Sequence, residues 1–227
     1  SAVYTEGRMA KAAVETAREQ AARSLNAKPE EIYFTSGGSE SDNWAIKGIA
    51  FSLQDKGRHI ITTAIEHPAV LNTCHFLEKL GYEITYLPVD SYGLVSVQTL
   101  QDTIREDTIL VSIMMANNEI GTIEPIKALA ETAHENGVLF HTDAVQAFGN
   151  VPIDVADLGV DMLSLSGHKF YGPKGTGILF CRQGVKLESL IHGGKQESGV
   201  RAGTENTAGI VGIGEACERA VKQLSEN

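Results

Sequence analysis

The sequence is poor in cysteine, poor in positive charge and free of long apolar runs. Its 227 residues hold three cysteines, Cys74, Cys181 and Cys217, odd in number and far apart. Neither a disulfide framework nor a CxxC metal site can be read from them. Lys and Arg total 19 against 29 Asp and Glu, a formal net charge of −10. That balance argues against a nucleic-acid partner, whose phosphate backbone demands clustered cations. No apolar run approaches the roughly 18 residues of a membrane-spanning helix, and there is no amino-terminal signal pattern. The expectation is a soluble, cytoplasmic protein that engages neither membrane nor nucleic acid. Internal repeats, low-complexity tracts and an obvious linker are absent, as are a GxxxxGKS/T loop and a GxGxxG turn opening a helix, so two common nucleotide-binding signatures are missing. Hydrophobic residues at 42% and charged residues at 21% lie close to globular averages, which excludes a disordered or collagen-like chain.

What is present is an alternation. Short β-type runs occur at Ile32–Phe34, His59–Ala64, Tyr82–Leu87, Thr108–Met114, Val138–His141, Met162–Leu165 and Gly177–Phe180. Between them lie segments of helical period. Ala10, Val14, Ala17, Ala21 and Leu25 share one face of a 3.6-residue repeat, as do Ile210, Ile213, Cys217, Ala220 and Leu224. Val70, Cys74 and Leu77 repeat the pattern, and so do Leu129, Ala130 and Ala133. Strands that are almost wholly apolar, Thr108–Met114 above all, suit a sheet covered by helices on both faces. The fold expected is α/β, a layered sandwich around a mostly parallel sheet. Such sheets bind ligands beyond the carboxyl ends of their strands, so the chemistry is sought in the loops that follow.

Six loops qualify, and each alone has an ordinary structural explanation. In Thr35-Ser36-Gly37-Gly38-Ser39-Glu40 the glycines permit a tight turn, and Ser39 with Asp42 suits a helix start. Free N–H groups at such an end favour an anion, for instance phosphate. Glu66-His67-Pro68 reads as a histidine before a helix opened by proline. Asn117-Asn118-Glu119-Ile120-Gly121 gathers two amides and a carboxylate, which turn chemistry alone also explains. In His141-Thr142-Asp143-Ala144-Val145-Gln146 an aspartate ends an apolar strand, where its charge is costly to desolvate unless it meets a cation. Ser166-Gly167-His168-Lys169 leads a lysine into a glycine-dense loop; held beside a histidine among apolar residues, that amine would lose its proton readily enough to act as a nucleophile. The last, Gly193-Gly194 through Arg201-Ala202-Gly203-Thr204-Glu205-Asn206, also reads as a flexible surface loop.

The combination narrows the choice. A lysine able to form an imine, an acid for a ring nitrogen, a phosphate cradle and a ring-stacking group are together what pyridoxal 5′-phosphate requires. Lys169, Asp143, the group Gly38-Ser39-Ser166-His168, and His67 fill those places. A carboxylate ~4 Å from a pyridinium, at an effective dielectric of ~20, gains roughly 4 kcal/mol, about three pK units. That holds the ring cationic and electron-withdrawing.

These motifs, with Tyr171-Gly172-Pro173-Lys174-Gly175 after the lysine, resemble those of the cysteine desulfurases in the class V aminotransferase group, in the same order along essentially the whole chain. The resemblance implies the large domain of a fold type I pyridoxal-phosphate enzyme, spanning residues 1–227. It implies that Lys169 carries the cofactor and transfers protons at the substrate carbon, that Asp143 contacts the pyridine nitrogen, and that His67 stacks on the ring and assists proton transfer. Asn118 and Gln146 match residues contacting ring substituents. Gly38, Ser39, Ser166 and His168 match the phosphate cradle, and Gly167, between the last two, is implied to bind the cofactor as part of the lysine motif. Thr204 matches a position reaching the phosphate of a neighbouring subunit, which implies a homodimer. Where relatives often have Ala-Thr, this chain has Gly38-Ser39, which retains the hydroxyl.

The implied reaction takes sulfur from L-cysteine onto a protein cysteine as a persulfide, releases alanine, and passes sulfur to an iron–sulfur scaffold or another acceptor. In that family the nucleophilic cysteine and a substrate-binding arginine belong to a carboxyl-terminal region. Since this chain opens at Ser1 and ends at Asn227 in a helical pattern, it is expected to be a piece of a longer polypeptide. Cys74 and Cys217 fall on apolar helix faces and Cys181 ends a strand, where each reads as a small buried hydrophobe. The chain alone is therefore expected to hold the cofactor without completing desulfuration. A selenocysteine lyase or other class V activity, and a non-catalytic cofactor-binding or dimerisation module, are the competing readings.

Overall fold

The computed structural model describes residues 5–226; Ser1 to Tyr4 and Asn227 lie outside them. The β-type runs become seven strands: β1 (Ile32–Thr35), β2 (His59–Thr63), β3 (Glu83–Leu87), β4 (Thr108–Ser112), β5 (Leu139–Asp143), β6 (Met162–Ser166) and β7 (Gly177–Cys181). They form one sheet in the order β1-β7-β6-β5-β4-β2-β3. All neighbours from β6 through β3 pair in parallel, whereas β7 runs antiparallel to both β6 and β1. The sheet is thus mixed and mostly parallel, with one reversed strand.

Successive residues of the apolar strands feed two different cores. Ile60, Leu110, Met162 and Leu179 pack with helices α2 (Gly38–Ser52) and α3 (Pro68–Glu78). Their neighbours Ile61, Val111, Leu163 and Ile178 pack on the other face with α1 (Thr5–Leu25), α5 (Ile126–Glu135) and α7 (Thr207–Glu226). This is the three-layer α/β sandwich expected, and it explains why the strands read as continuous apolar runs rather than alternating ones. Fully burying each Ile or Leu side chain contributes roughly 1.5–3 kcal/mol. The buried stripes on α1 and α7 include Val14, Ala17, Ala21 and Leu25, and Ile210, Ile213, Cys217 and Ala220. The two helices approach so closely that a Cβ on Gly214 would lie 2.7 Å from the Cα of Ala17.

Two short helices are not marked by hydrophobic periodicity. The helix α4 (Val97–Thr103) is capped by Ser96, and α6 (Val155–Leu158) by Asp154, whose carboxylate accepts from the N–H groups of Ala156 and Asp157. With one or two turns each, they carry too few apolar repeats to stand out.

The carboxyl ends of β1, β2, β4, β5 and β6 point to one edge, and the reversed β7 begins there, with Gly177 opposite both Thr35 and Ser166. At this meeting point a Cβ on Gly177 would fall 2.6 Å from the Cα and carbonyl carbon of Gly37. Only glycine lets β7 approach the β1–α2 turn this closely.

Candidate active site

A cleft of about 420 Å³ opens at that edge, lined by the loops after five strands. The β1–α2 loop contributes Gly38 and Ser39, the β2–α3 loop His67, and the loop after β4 Asn118. Asp143 ends β5 and Gln146 follows it; Ser166 ends β6 and His168 and Lys169 follow it. Nine of the eleven residues singled out from the sequence therefore share one surface, although they span the chain from Gly38 to Lys169.

The two others sit apart. Gly167 is buried beside the cleft without lining it, and a Cβ there would meet the Thr176 hydroxyl at 2.6 Å and the Pro173 carbonyl at 3.0 Å. Its N–H donates to the Thr176 carbonyl and its own carbonyl accepts from Gly172. Gly167 is a close-packing position that shapes the lysine turn. Thr204 is exposed and outside the cleft formed by this single chain.

The phosphate-side turn is built differently from the sequence expectation. The helix cap is Gly37, at φ +155°, so α2 starts at Gly38 and Ser39 is the second helical residue rather than the cap. Ser39 is thereby free to present its hydroxyl to the cleft. Glu40 turns back to accept from the Ser36 N–H at 2.8 Å, and the Arg201 guanidinium donates to both its oxygens at 2.8 and 3.1 Å. Burial raises the Glu40 carboxyl, but the bonds from Arg201 and Ser36 outweigh it and hold the group below its ordinary range. The glycine-rich segment carrying Arg201 is pinned to α2 by this pair. A second pair, Arg18 with Glu197, adds two hydrogen bonds of 2.8 and 3.0 Å, and Glu197 also accepts from the Phe34 N–H. The first-turn N–H groups of α2 have no acceptor within the helix and confer a partial positive charge on this side of the cleft.

Across the cleft, Asp143 ends β5 at 5% exposure. Its Oδ1 accepts the Val145 N–H at 2.9 Å. Burial pushes this carboxyl above its ordinary range, against the pull of that N–H and of the His67 and Lys169 charges. No described Lys or Arg forms an ion pair with it. His67 caps α3, its Nδ1 accepting the Ala69 N–H at 3.1 Å; in the neutral ring the proton then sits on Nε2. Ser166 and His168 are joined at 2.9 Å between Oγ and Nδ1. Lys169 lies in a short 3-10 turn and is exposed into the cleft, not enclosed among apolar side chains as the sequence suggested.

Asn117 supports the site from beneath. Its amide donates to the Ile65 carbonyl at 3.0 Å and its Oδ1 accepts from Glu119 and Ile120, so the β2 and β4 loops are tied together and Asn118 is the residue left facing the cleft. Sequence reasoning overlooked Asp42 as a cleft residue. It also lines the cleft, 1% exposed, and the signal for it was a carboxylate three, four and seven residues ahead of Ala45, Ile46 and Ile49 on one helical stripe. The three cysteines are all buried, and burial pushes Cys74 and Cys181 up to about 12 and Cys217 upward as well. None has the environment of a reactive thiolate. Among the described residues no cluster of His, Cys, Asp and Glu is placed to hold a metal, and no helix is long and apolar enough to cross a membrane.

Comparison with known proteins follows the same lines. The chain is 61% identical over 227 residues to "Cysteine desulfurase IscS" of Methanosarcina thermophila, all of this chain against 56% of that protein. Among solved structures, "NIFS-LIKE PROTEIN" superposes with a TM-score of 0.96 at 47% identity, covering 98% of this chain and 62% of the other. "SspA in complex with cysteine" does so with a TM-score of 0.93 at 50% identity, covering 96% and 63%. The chain thus spans little more than half the length of the curated relatives it matches. The model of the family described as "Aminotransferase class-V" matches residues 1–225, and the chain belongs to that family.

Proposed function

We infer that residues 1–227 form the cofactor-binding large domain of a pyridoxal-phosphate-dependent cysteine desulfurase. The observation that supports this best is that Lys169 and Asp143, from loops after different strands, line one cleft whose other end is the first turn of α2. The donor set fits the cofactor. The 5%-exposed carboxyl of Asp143, without an ion-pair partner among the described residues, is suited to a pyridinium, and the N–H groups at Gly38 and Ser39, with the Ser166 hydroxyl and His168, are suited to a phosphate. Bound there, pyridoxal phosphate supplies an aldehyde reactive toward amines and a ring that withdraws electrons from the substrate carbon.

The chain's own residues do the rest. Asp143 holds a proton at the ring nitrogen. Lys169 anchors the cofactor and moves the proton at the substrate α-carbon, His67 covers the ring face and assists that transfer, and Asn118 and Gln146 orient ring substituents. The substrate is L-cysteine; the similar structure described as "SspA in complex with cysteine" supports that choice. Sulfur then passes, as a persulfide, toward an iron–sulfur scaffold or another acceptor in the cytoplasm. Because Cys74, Cys181 and Cys217 are buried with raised thiol pKa values, none of them is the persulfide carrier. Thr204 stands outside the cleft of its own chain, which supports its acting on the cleft of a second copy in a homodimer.

The test is alanine release from L-cysteine by the intact protein loaded with pyridoxal phosphate, alongside Lys169→Ala. Release that depends on cofactor and on Lys169 is expected. Equal release by the variant, or turnover confined to selenocysteine, overturns the reading.

A further inference from the structure

Three carboxyl groups are buried at or beneath the floor of the cleft: Asp42 at 1% exposure, Glu66 at 5% and Asp143 at 5%. They interact electrostatically with one another, so ionising all three is prohibitive. Their surroundings differ. Asp143 has the Val145 N–H on Oδ1 and is acted on by the charges of His67 and Lys169. Asp42 Oδ1 and Glu66 Oε2 have no hydrogen-bond partner among the described residues.

We propose that Asp42 and Glu66 are proton-bearing, neutral groups that leave Asp143 the sole anion of the three.

The groups facing Asp42 from each packed element support this. From β5 come Asp143 and the imidazole of His141, 3.8 Å from Oδ1. His141 cannot serve as a counter-ion, because complete burial drives its pKa down to about 3 and keeps it neutral. The same ring bridges Ser112 on β4, at 2.8 Å, and Ser164 on β6, at 2.9 Å, and the Ser164 hydroxyl in turn reaches Asp42. A line of neutral donors and acceptors, Ser112–His141–Ser164–Asp42, therefore crosses the sheet to α2. A carboxylate there could accept from the Ser164 hydroxyl but would have no cation beside it among the described residues, a buried charge without a counter-ion. From the β2–α3 loop comes Glu66, whose Oε1 accepts from the Thr63 hydroxyl at 2.7 Å and the Met114 N–H at 2.9 Å. Burial, with the nearby Asp143 and Glu124 adding to it, pushes Glu66 up to about 8. Burial and the facing carboxyls push Asp42 well above its ordinary range too.

The consequence lies at Asp143. A second anion behind it would draw a proton onto Asp143 and remove the charge that a pyridinium needs. This consequence rests on the cofactor reading, whereas the charge assignment does not.

The assignment is tested by infrared spectroscopy of the intact, cofactor-free protein near neutral pH, with aspartate carboxyls labelled by carbon-13. A carbonyl stretch of a protonated carboxylic acid that moves on labelling, and is lost in Asp42→Asn, is the expected result; labelled bands from carboxylate alone overturn it. If that variant does not fold, Asp143→Asn decides: the band persists if Asp42 bears the proton and disappears if Asp143 does. A second readout is stability against pH. Relative to wild type, Asp42→Asn should gain about tenfold in its folding constant per pH unit above the carboxylate range of the unfolded chain, because wild type must hold one proton that the unfolded chain releases. A pH-independent difference contradicts the proposal. Pyridoxal phosphate added afterwards separates the two ideas. If Asp42 carries no charge, its neutral stand-in in Asp42→Asn leaves the pH at which the bound ring nitrogen titrates where it is in wild type, and a titration displaced in the variant overturns the charge assignment. Wild-type protein that shows the protonated aspartate but binds no cofactor defeats the functional reading alone.

Discussion

Replacing Gly177 with alanine would set a methyl group 2.6 Å from two backbone atoms of Gly37, where carbon atoms normally rest about 3.5–4.0 Å apart. The overlap is about 1 Å, and it falls on backbone, which cannot rotate away as a side chain can. Either β7 leaves its register with β1 and β6, or the β1–α2 turn retreats and carries the first turn of α2 with it. Overpacking of this kind costs roughly 1–3 kcal/mol, which in a chain of this size lowers Tm by roughly 2–12 °C. The second effect is local. Moving the α2 N-terminus away from Ser166 spoils the proposed phosphate cradle, and losing about 1.4–2.8 kcal/mol there weakens cofactor binding about ten- to a hundredfold. Gly175→Ala is the control. It also borders the cleft, but nothing lies within 4 Å of its added Cβ, so the change costs only the φ of +74°, about 1 kcal/mol. Thermal denaturation and titration with pyridoxal phosphate separate the two variants. Equal Tm and equal affinity for Gly177→Ala and wild type would refute the argument from close approach.

Other predictions follow from single contacts. Asp143→Asn removes the anion proposed to face the ring nitrogen, so a spectrophotometric pH titration of the bound cofactor should show that nitrogen losing its proton up to about three pK units earlier; an unchanged titration contradicts the pairing. Glu66 is protonated in the folded chain up to about 8, against about 4.3 when unfolded. Its contribution is complete below the lower value and is lost as pH rises through the higher one, at about 1.4 kcal/mol per unit. Glu66→Gln should therefore flatten the stability profile between those values, and urea denaturation at several pH values shows whether it does. Arg18→Met leaves Glu197 buried without its cation, a loss of about 3–5 kcal/mol, read as a lower urea midpoint; a midpoint within error of wild type would show that the pair contributes little.

Much of this arrangement was legible in the residues, because local chemistry and global fold agree. All seven strands lie within two residues of their apolar runs; in the strands inside the sheet, burial on both faces demands continuous hydrophobicity, and the edge strand β3 is partly open. Nine cleft residues were identified because parallel sheets gather their ligands at one edge, so loops distant in sequence could be examined as one set. What escaped was set by tertiary context. The helices α4 and α6 are too short for a periodic signal. Ser39 reads as a cap until the backbone of Gly37 is seen to take that place. Lys169 was expected in apolar surroundings and is exposed, because the turn formed by Gly167 aims it into the cleft. Asp42 belongs to an otherwise apolar helical stripe, and only packing against β5 and β6 turns it into a buried acid beside Asp143.

The most direct measurement is to load the intact protein with pyridoxal phosphate, reduce it with borohydride, and locate the added mass by peptide mapping. The mass should reside on the peptide containing Lys169, and Lys169→Ala should lose both that adduct and the visible absorption of the loaded protein. Addition spread over surface lysines, or a visible band that survives in Lys169→Ala, would contradict the site proposed for this cleft.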